Sequence, residues 1–240
     1  MINNFFCDQS LYTSMDCCRQ MEMECADLAL DLANEHAMTL SVEEIMLQRF
    51  VCSPAQLAEL CVGWLCGEGF IKTEKDVKNL WISENGCTAK AFLEPIQKRE
   101  AEAFPSFIPL KDDLCKQAAN ILRNEDSVYS KTRGTHGCVY LSDDGRKIFC
   151  EDIGRNNAID KTIGKALLQG LETERGLLFS SGRITADIVR KVVRAGIPVL
   201  ASKAAVTSDA IEAANRYRLR LAFFADNKLC VIPTNSSMSI

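Results

Sequence analysis

Glu151-Asp152-Ile153-Gly154-Arg155-Asn156-Asn157-Ala158-Ile159-Asp160-Lys161 opens with two acids, a glycine, an arginine and two amides where an apolar run gives way to helical spacing. A helix N-terminus presents unpaired N–H groups and a partial positive charge, which suits a phosphorylated ligand. Gly154 permits a tight turn, and Arg155 has the forked geometry that grips a phosphate. The competing reading is an ordinary strand-to-helix turn whose acids serve as caps.

Working outward, the segments alternate. A hairpin is expected from Cys138–Leu141 and Lys147–Cys150 across Ser142-Asp143-Asp144-Gly145. Helical spacing follows over Asn157–Leu168, then a strand at Leu177–Ser180 and a helix over Thr185–Ala195 closed by Gly196 and Pro198. A strand at Ile197–Ala201, a helix at Asp209–Tyr217 and strands at Leu219–Phe224 and Leu229–Ile232 complete the pattern. This order predicts an α/β layered sheet with ligands at the strand ends. Three polar loops fall there: Glu151–Asn157, Ser180–Arg183 and Ser202–Ser208, the last with Ser202-Lys203 and Thr207-Ser208. No Walker A lysine motif and no G-x-G-x-x-G occurs.

The first half reads as a smaller α+β domain. Residues 1–20 lack periodicity and are expected to form a loose tail. Strand-like runs occur at Leu28–Leu32 and Ile45–Val51. Ser53-Pro54-Ala55-Gln56 predicts a capped helix start, with Leu57, Leu60, Cys61, Trp64 and Leu65 on its apolar face and Gly67 and Gly69 at its end. Residues 84–110 look irregular, and Asp112–Arg123 is amphipathic. The division is therefore a tail over 1–20, an N-terminal domain over 21–110 and an α/β domain over 111–240.

The chain has 240 residues, 47% apolar and 25% charged, with net charge −4. That balance argues against general nucleic-acid binding. No apolar run approaches membrane-spanning length, and the start lacks a signal-peptide pattern, so a cytoplasmic protein without a membrane partner is expected. Twelve cysteines contain no C-x-x-C pair, and the two histidines, His36 and His136, stand in no zinc-ligating pattern, so no metal site is expected. Cys61, Cys66 and Cys150 lie in apolar runs and read as small buried hydrophobes. Cys87 differs: its setting, Glu84-Asn85-Gly86-Cys87-Thr88-Ala89-Lys90, is polar. It reads either as a nucleophilic thiol with Lys90 as the nearby cation or as an unreactive loop cysteine. His136 reads either as a ligand or proton-transfer group or as a structural residue of a turn.

Together these segments resemble the formate dehydrogenase accessory sulfurtransferase family (FdhD). The resemblance rests on Ser53-Pro54 with Glu59–Ile71, Gly134-Thr135-His136, Glu151–Lys161, Ser181-Gly182-Arg183 and Ala205-Val206-Thr207. It implies a C-terminal cytidine-deaminase-like α/β domain without zinc, and a homodimer. It implies sulfur transfer from a cysteine desulfurase, as a persulfide on Cys87, to a molybdenum (or tungsten) bis-molybdopterin guanine dinucleotide that serves formate dehydrogenase. The cofactor-binding residues it implies are His136, Arg155, Asn156, Ser181, Gly182, Arg183 and Thr207, with the late loop Phe224, Ala225, Asp226, Asn227, Lys228 and Leu229. Two positions depart from the family pattern: Lys90 replaces the second cysteine of a pair, and Asn156 stands where histidine is usual. The first departure leaves a second expectation, a cofactor-binding chaperone without persulfide chemistry. A base-modifying enzyme on a deaminase-like scaffold lacks visible water-activating groups. Cys7, Cys17, Cys18 and Cys25 have no assigned role.

Overall fold

The computed structural model describes residues 16–23, 28–94 and 98–233. The second half follows from strands whose successive side chains point to opposite faces. β7 (His136–Ser142) sends Cys138 and Tyr140 into one apolar layer, and Val139 and Leu141 into another. β9 (Gly176–Ser180) and β10 (Val199–Ser202) do the same, which is why they read as continuous apolar runs. With β8 (Lys147–Asp152), β11 (Arg220–Ala225) and β12 (Lys228–Val231) they make a six-stranded sheet in the order β12-β11-β10-β9-β7-β8.

Strands β9, β10 and β11 are parallel, and β7 runs against both β9 and β8. β8 therefore runs in the same direction as β9–β11. The turns leaving all four lie at one edge of the sheet, where ligands of open α/β sheets bind. α2 (Asp112–Asn124) covers the layer containing Val139 and Phe179. On the opposite face lie α4 (Arg155–Leu168), α5 (Ala186–Arg194) and α6 (Ser208–Tyr217).

In the first half, β1 (Cys18–Met23) pairs antiparallel with β2 (Leu28–Ala33) as a ribbon. A four-stranded sheet follows, β4-β3-β6-β5, from β3 (His36–Val42), β4 (Ile45–Cys52), β5 (Val77–Ile82) and β6 (Thr88–Leu93). Its inward residues, including Met38, Leu40, Phe50, Leu80 and Ala91, join α1 (Leu57–Gly67) and the helices of the six-stranded sheet in one continuous core. The joint is α1 against α4, where two glycines let backbones meet. A Cβ on Gly63 would lie 1.7 Å from the Asp160 carbonyl oxygen, and one on Gly164 would lie 1.9 Å from that of Glu59.

Three expectations need correction. Ser53 does not cap α1. The helix begins at Leu57 after Gln56, which has left-handed backbone (φ 57°) and makes no side-chain cap bond. The Ser53 hydroxyl instead accepts the Ile153 N–H at 3.1 Å, and its own N–H donates to Asp152 Oδ2 at 2.9 Å. These tertiary partners replace the local cap. Second, the region read as irregular over 84–110 contains β6, a strand held between β3 and β5. Third, the tail expected over 1–20 lies outside the described residues up to residue 15, but β1 begins at Cys18. Cys7 and Cys25 also lie outside the described residues. Among the described residues no helix is long and apolar enough to cross a membrane.

Candidate functional site

The signature turn is assembled around Asp152, which ends β8 fully buried. Its Oδ1 accepts the Gly154 N–H at 2.8 Å and the Asn157 side-chain amide at 2.9 Å. Its Oδ2 accepts the Ser53 N–H and faces the Lys161 ammonium at 2.5 Å. Lys161, also fully buried, donates to the Ser53 carbonyl at 3.0 Å. One carboxylate thus ties the end of β4 to the start of α4. A second buried pair, Lys191 with Asp160 at 2.6 Å, ties α5 to α4.

Beside this turn is a cleft of about 1060 Å³ at the sheet edge, slightly above the roughly 300–1,000 Å³ usual for small-molecule sites. Its apolar wall includes Phe149, Phe179 and Phe224, with Phe179 and Phe224 edge-to-face at 6.0 Å. Cations reach it from Arg123, Arg133 and Lys203. His136 and Ser181 line it together: the Ser181 hydroxyl accepts the Gly137 N–H at 3.1 Å and lies 3.3 Å from His136 Nδ1. Burial, then the nearby Arg155 guanidinium, hold His136 below the usual histidine value, which favours the neutral ring.

The residues expected at the site divide into two groups. His136, Ser181, Phe224, Asp226 and Asn227 line the cleft. Asp226 and Asn227 form the two-residue hairpin turn between β11 and β12, both with positive φ, flanked by the paired Ala225 and Lys228. Leu229 packs half-buried on the inner layer beneath. Arg155, Asn156, Gly182, Arg183 and Thr207 do not line it. Arg155 opens α4 with its stem against Gly182, where a Cβ would come within 2.8 Å of Arg155 Cβ. Its Nε is buried with no hydrogen-bond partner among the described residues. Asn156 and Arg183 face solvent. Thr207 caps α6, its hydroxyl accepting the Ala210 N–H at 3.2 Å.

Sequence reasoning missed the wall formed by α3 (Val128–Thr132), which brings Tyr129 and Arg133 to the cleft. Five residues are too few for a periodic pattern; the available signal was Ser127, an N-cap residue whose hydroxyl accepts the Ser130 N–H.

Cys87 lies elsewhere, in the tight β5–β6 connection, and does not line the cleft. Asn85 Oδ1 accepts the Cys87 N–H at 3.1 Å and the Ser83 hydroxyl at 2.8 Å. Gly86 supplies the positive φ of the turn, and the Thr39 N–H donates to the Cys87 carbonyl at 2.9 Å. The backbone is fixed while the thiol is exposed. Among the described cysteines Cys87 alone is exposed; Cys52, Cys61, Cys66, Cys115, Cys138 and Cys150 are buried, as the apolar runs indicated for Cys61, Cys66 and Cys150. Lys90, the cation expected near Cys87, forms an exposed ion pair in which both oxygens of Glu44 lie 3.0 Å from its ammonium. Among the described residues no group of three or more His, Cys, Asp or Glu side chains is placed to hold a metal ion.

The mixed α/β arrangement of these sheets and helices defines a fold class with a solved example. The fold matches the crystal structure described as a formate dehydrogenase accessory protein from Desulfotalea psychrophila, with TM-score 0.77 and 22% identity over 91% of this chain and 97% of that one. The family model for FdhD/NarQ matches residues 33–104 and 83–238, and the chain belongs to the FdhD/NarQ family. Relatives named sulfur carrier protein FdhD include one from Methanothermobacter thermautotrophicus, 30% identical over 91% of this chain and 95% of its own length. Another, from Shouchella clausii, is 27% identical over 82% of this chain and 85% of its own.

Proposed function

We propose that this protein is a sulfur carrier serving formate dehydrogenase. It takes sulfur from a cysteine desulfurase onto Cys87 and passes it to a molybdenum (or tungsten) bis-molybdopterin guanine dinucleotide, its substrate, held as a homodimer's client. The observation that carries the reading is the exposed Cys87 thiol on a hydrogen-bonded hairpin, in a chain whose buried cysteines are inaccessible. In the loading step the Cys87 thiolate attacks the terminal sulfur of the donor's persulfide. The donor S–S bond breaks, its thiolate leaves, and a new S–S bond forms on Cys87 without net oxidation.

The cleft supports the substrate side. Its aromatic wall suits flat heterocycles, its cations suit phosphates, and Asp226 and Asn227 offer hydrogen bonds to a base edge. The buried Nε of Arg155, which has no hydrogen-bond partner among the described residues and lies beside Gly182, suits an anion reaching the start of α4. Replacing Cys87 with serine should abolish sulfur delivery to formate dehydrogenase and leave guanine nucleotide binding unchanged by calorimetry. Retained delivery rejects the assignment of Cys87.

A second reading, a cofactor-binding chaperone without persulfide chemistry, is favoured by one observation: the family's second cysteine is Lys90, and its ammonium is occupied by Glu44. A thiol that never gains sulfur, with nucleotide still bound, selects it.

A further inference from the structure

Glu151, the first acid of the signature, contacts neither the α4 N-terminus nor the buried lysines. Its carboxylate reaches back to α3: Oε1 accepts the Val128 N–H at 2.7 Å, and Oε2 accepts the Tyr129 N–H at 3.1 Å and the Thr135 hydroxyl at 2.9 Å. The next free N–H, of Ser130, goes to Ser127 Oγ, and the Ser127 N–H returns to Ser130 Oγ. At the other end, Arg133 turns through left-handed backbone (φ 57°), and the Thr132 hydroxyl accepts the Gly134 N–H at 3.0 Å. Ser127–His136 is thus a short closed unit that runs into β7, packs against β2 and is tied to β8 by the Glu151 carboxylate. A five-residue helix is too short to hold its shape unaided.

This unit supplies Tyr129, Arg133 and His136 to the cleft. Tyr129 is 41% exposed, with the Arg133 guanidinium over its ring at 5.2 Å. An accessible ring backed by a cation is a stacking surface for a planar, electron-rich heterocycle, and the free face of the guanidinium attracts phosphate.

We propose that Glu151 is a positioning residue: its carboxylate sets the Tyr129–Arg133 rim as a station for a planar, phosphate-bearing heterocycle at the mouth of the cleft. The inference rests on the cleft being the cofactor-binding site. Charge-assisted bonds to two backbone N–H groups are the strong kind. Their loss removes the charged tether that orients α3 and weakens ligand binding about tenfold or more.

The test titrates the full-length protein with GDP by calorimetry, using wild type, Glu151→Gln, Tyr129→Ala and the double variant, and measures Cys87 sulfur loading of each. Each single variant should weaken GDP binding about tenfold, and the double variant should be little worse than either, because Glu151 acts through the rim. Cys87 loading, on the other sheet, should stay at the wild-type rate, which a general loss of structure would not allow. Wild-type affinity in Glu151→Gln or in the solvent-facing Tyr129→Ala overturns the inference, as do losses that multiply. If wild type itself binds no GDP, the cleft reading fails along with it; if wild type binds and Glu151→Gln is unaffected, the inference alone fails.

Discussion

Replacing Lys161 with methionine should be among the most damaging single changes outside the glycine contacts. Lys161 and Asp152 are both fully buried, 2.5 Å apart. The methionine keeps most of the apolar stem, so the change removes the charge and its bond to the Ser53 carbonyl with little loss of packing. It leaves the Asp152 carboxylate without a countercharge, and the bonds from Ser53, Gly154 and Asn157 do not replace one. Removing one partner of such a pair costs about 3–5 kcal/mol, a large share of the roughly 5–15 kcal/mol that holds a domain together. Asp152→Asn added to Lys161→Met removes the orphaned charge, so the double variant should recover about 1–3 kcal/mol relative to the sum of the singles. Urea unfolding followed by tryptophan fluorescence reads the effect. Trp64 packs against Phe50 and Phe70, at 6.1 Å and 5.9 Å between ring centroids, and reports the shared core. A Lys161→Met midpoint equal to wild type, or a double variant as unstable as the summed singles, refutes the reasoning.

Other outcomes follow from the same geometry. Gly63→Ala should fail to give folded protein, because the new methyl lands on the Asp160 carbonyl; a soluble variant with wild-type melting temperature refutes the α1–α4 contact. His136 should titrate below 6.5 by NMR, since burial and Arg155 lower its value. The unfolded chain binds that proton more readily, so the stability linked to His136 is present above pH 6.5 and is lost as pH falls through the lowered value; a midpoint above 6.5 contradicts this. Native alkylation with iodoacetamide should modify Cys87, while Cys66, whose thiol burial pushes up to about 12, should react only after unfolding.

The alternation of strands and helices after residue 136 was legible because period-2 and period-3.6 patterns are local, and the sheet buries both faces of β7, β9 and β10. β6 was hidden by its composition: Thr88-Ala89-Lys90-Ala91 has weak strand propensity and becomes a strand through pairing with β3 and β5. Ser53 failed as a cap for a related reason. Its partners, Asp152 and Ile153, lie about a hundred residues away in sequence, and no local pattern reveals them. Of the residues singled out in the sequence, His136 and Ser181 stood out by type and loop position and Asp226-Asn227 only through the family resemblance, and these four line the cleft. It was illegible where a short helix is held by a distant carboxylate, as Tyr129 and Arg133 are by Glu151. Thr207, expected at the site, also has a local role: its hydroxyl oxygen caps α6.

The central claim, that Cys87 carries sulfur, is tested most directly by intact mass measurement after incubation with a cysteine desulfurase and free cysteine, followed by peptide mapping. The account expects one added sulfur atom on the peptide containing Cys87, absent from Cys87→Ser. No added sulfur on Cys87, with guanine nucleotide still bound, contradicts it.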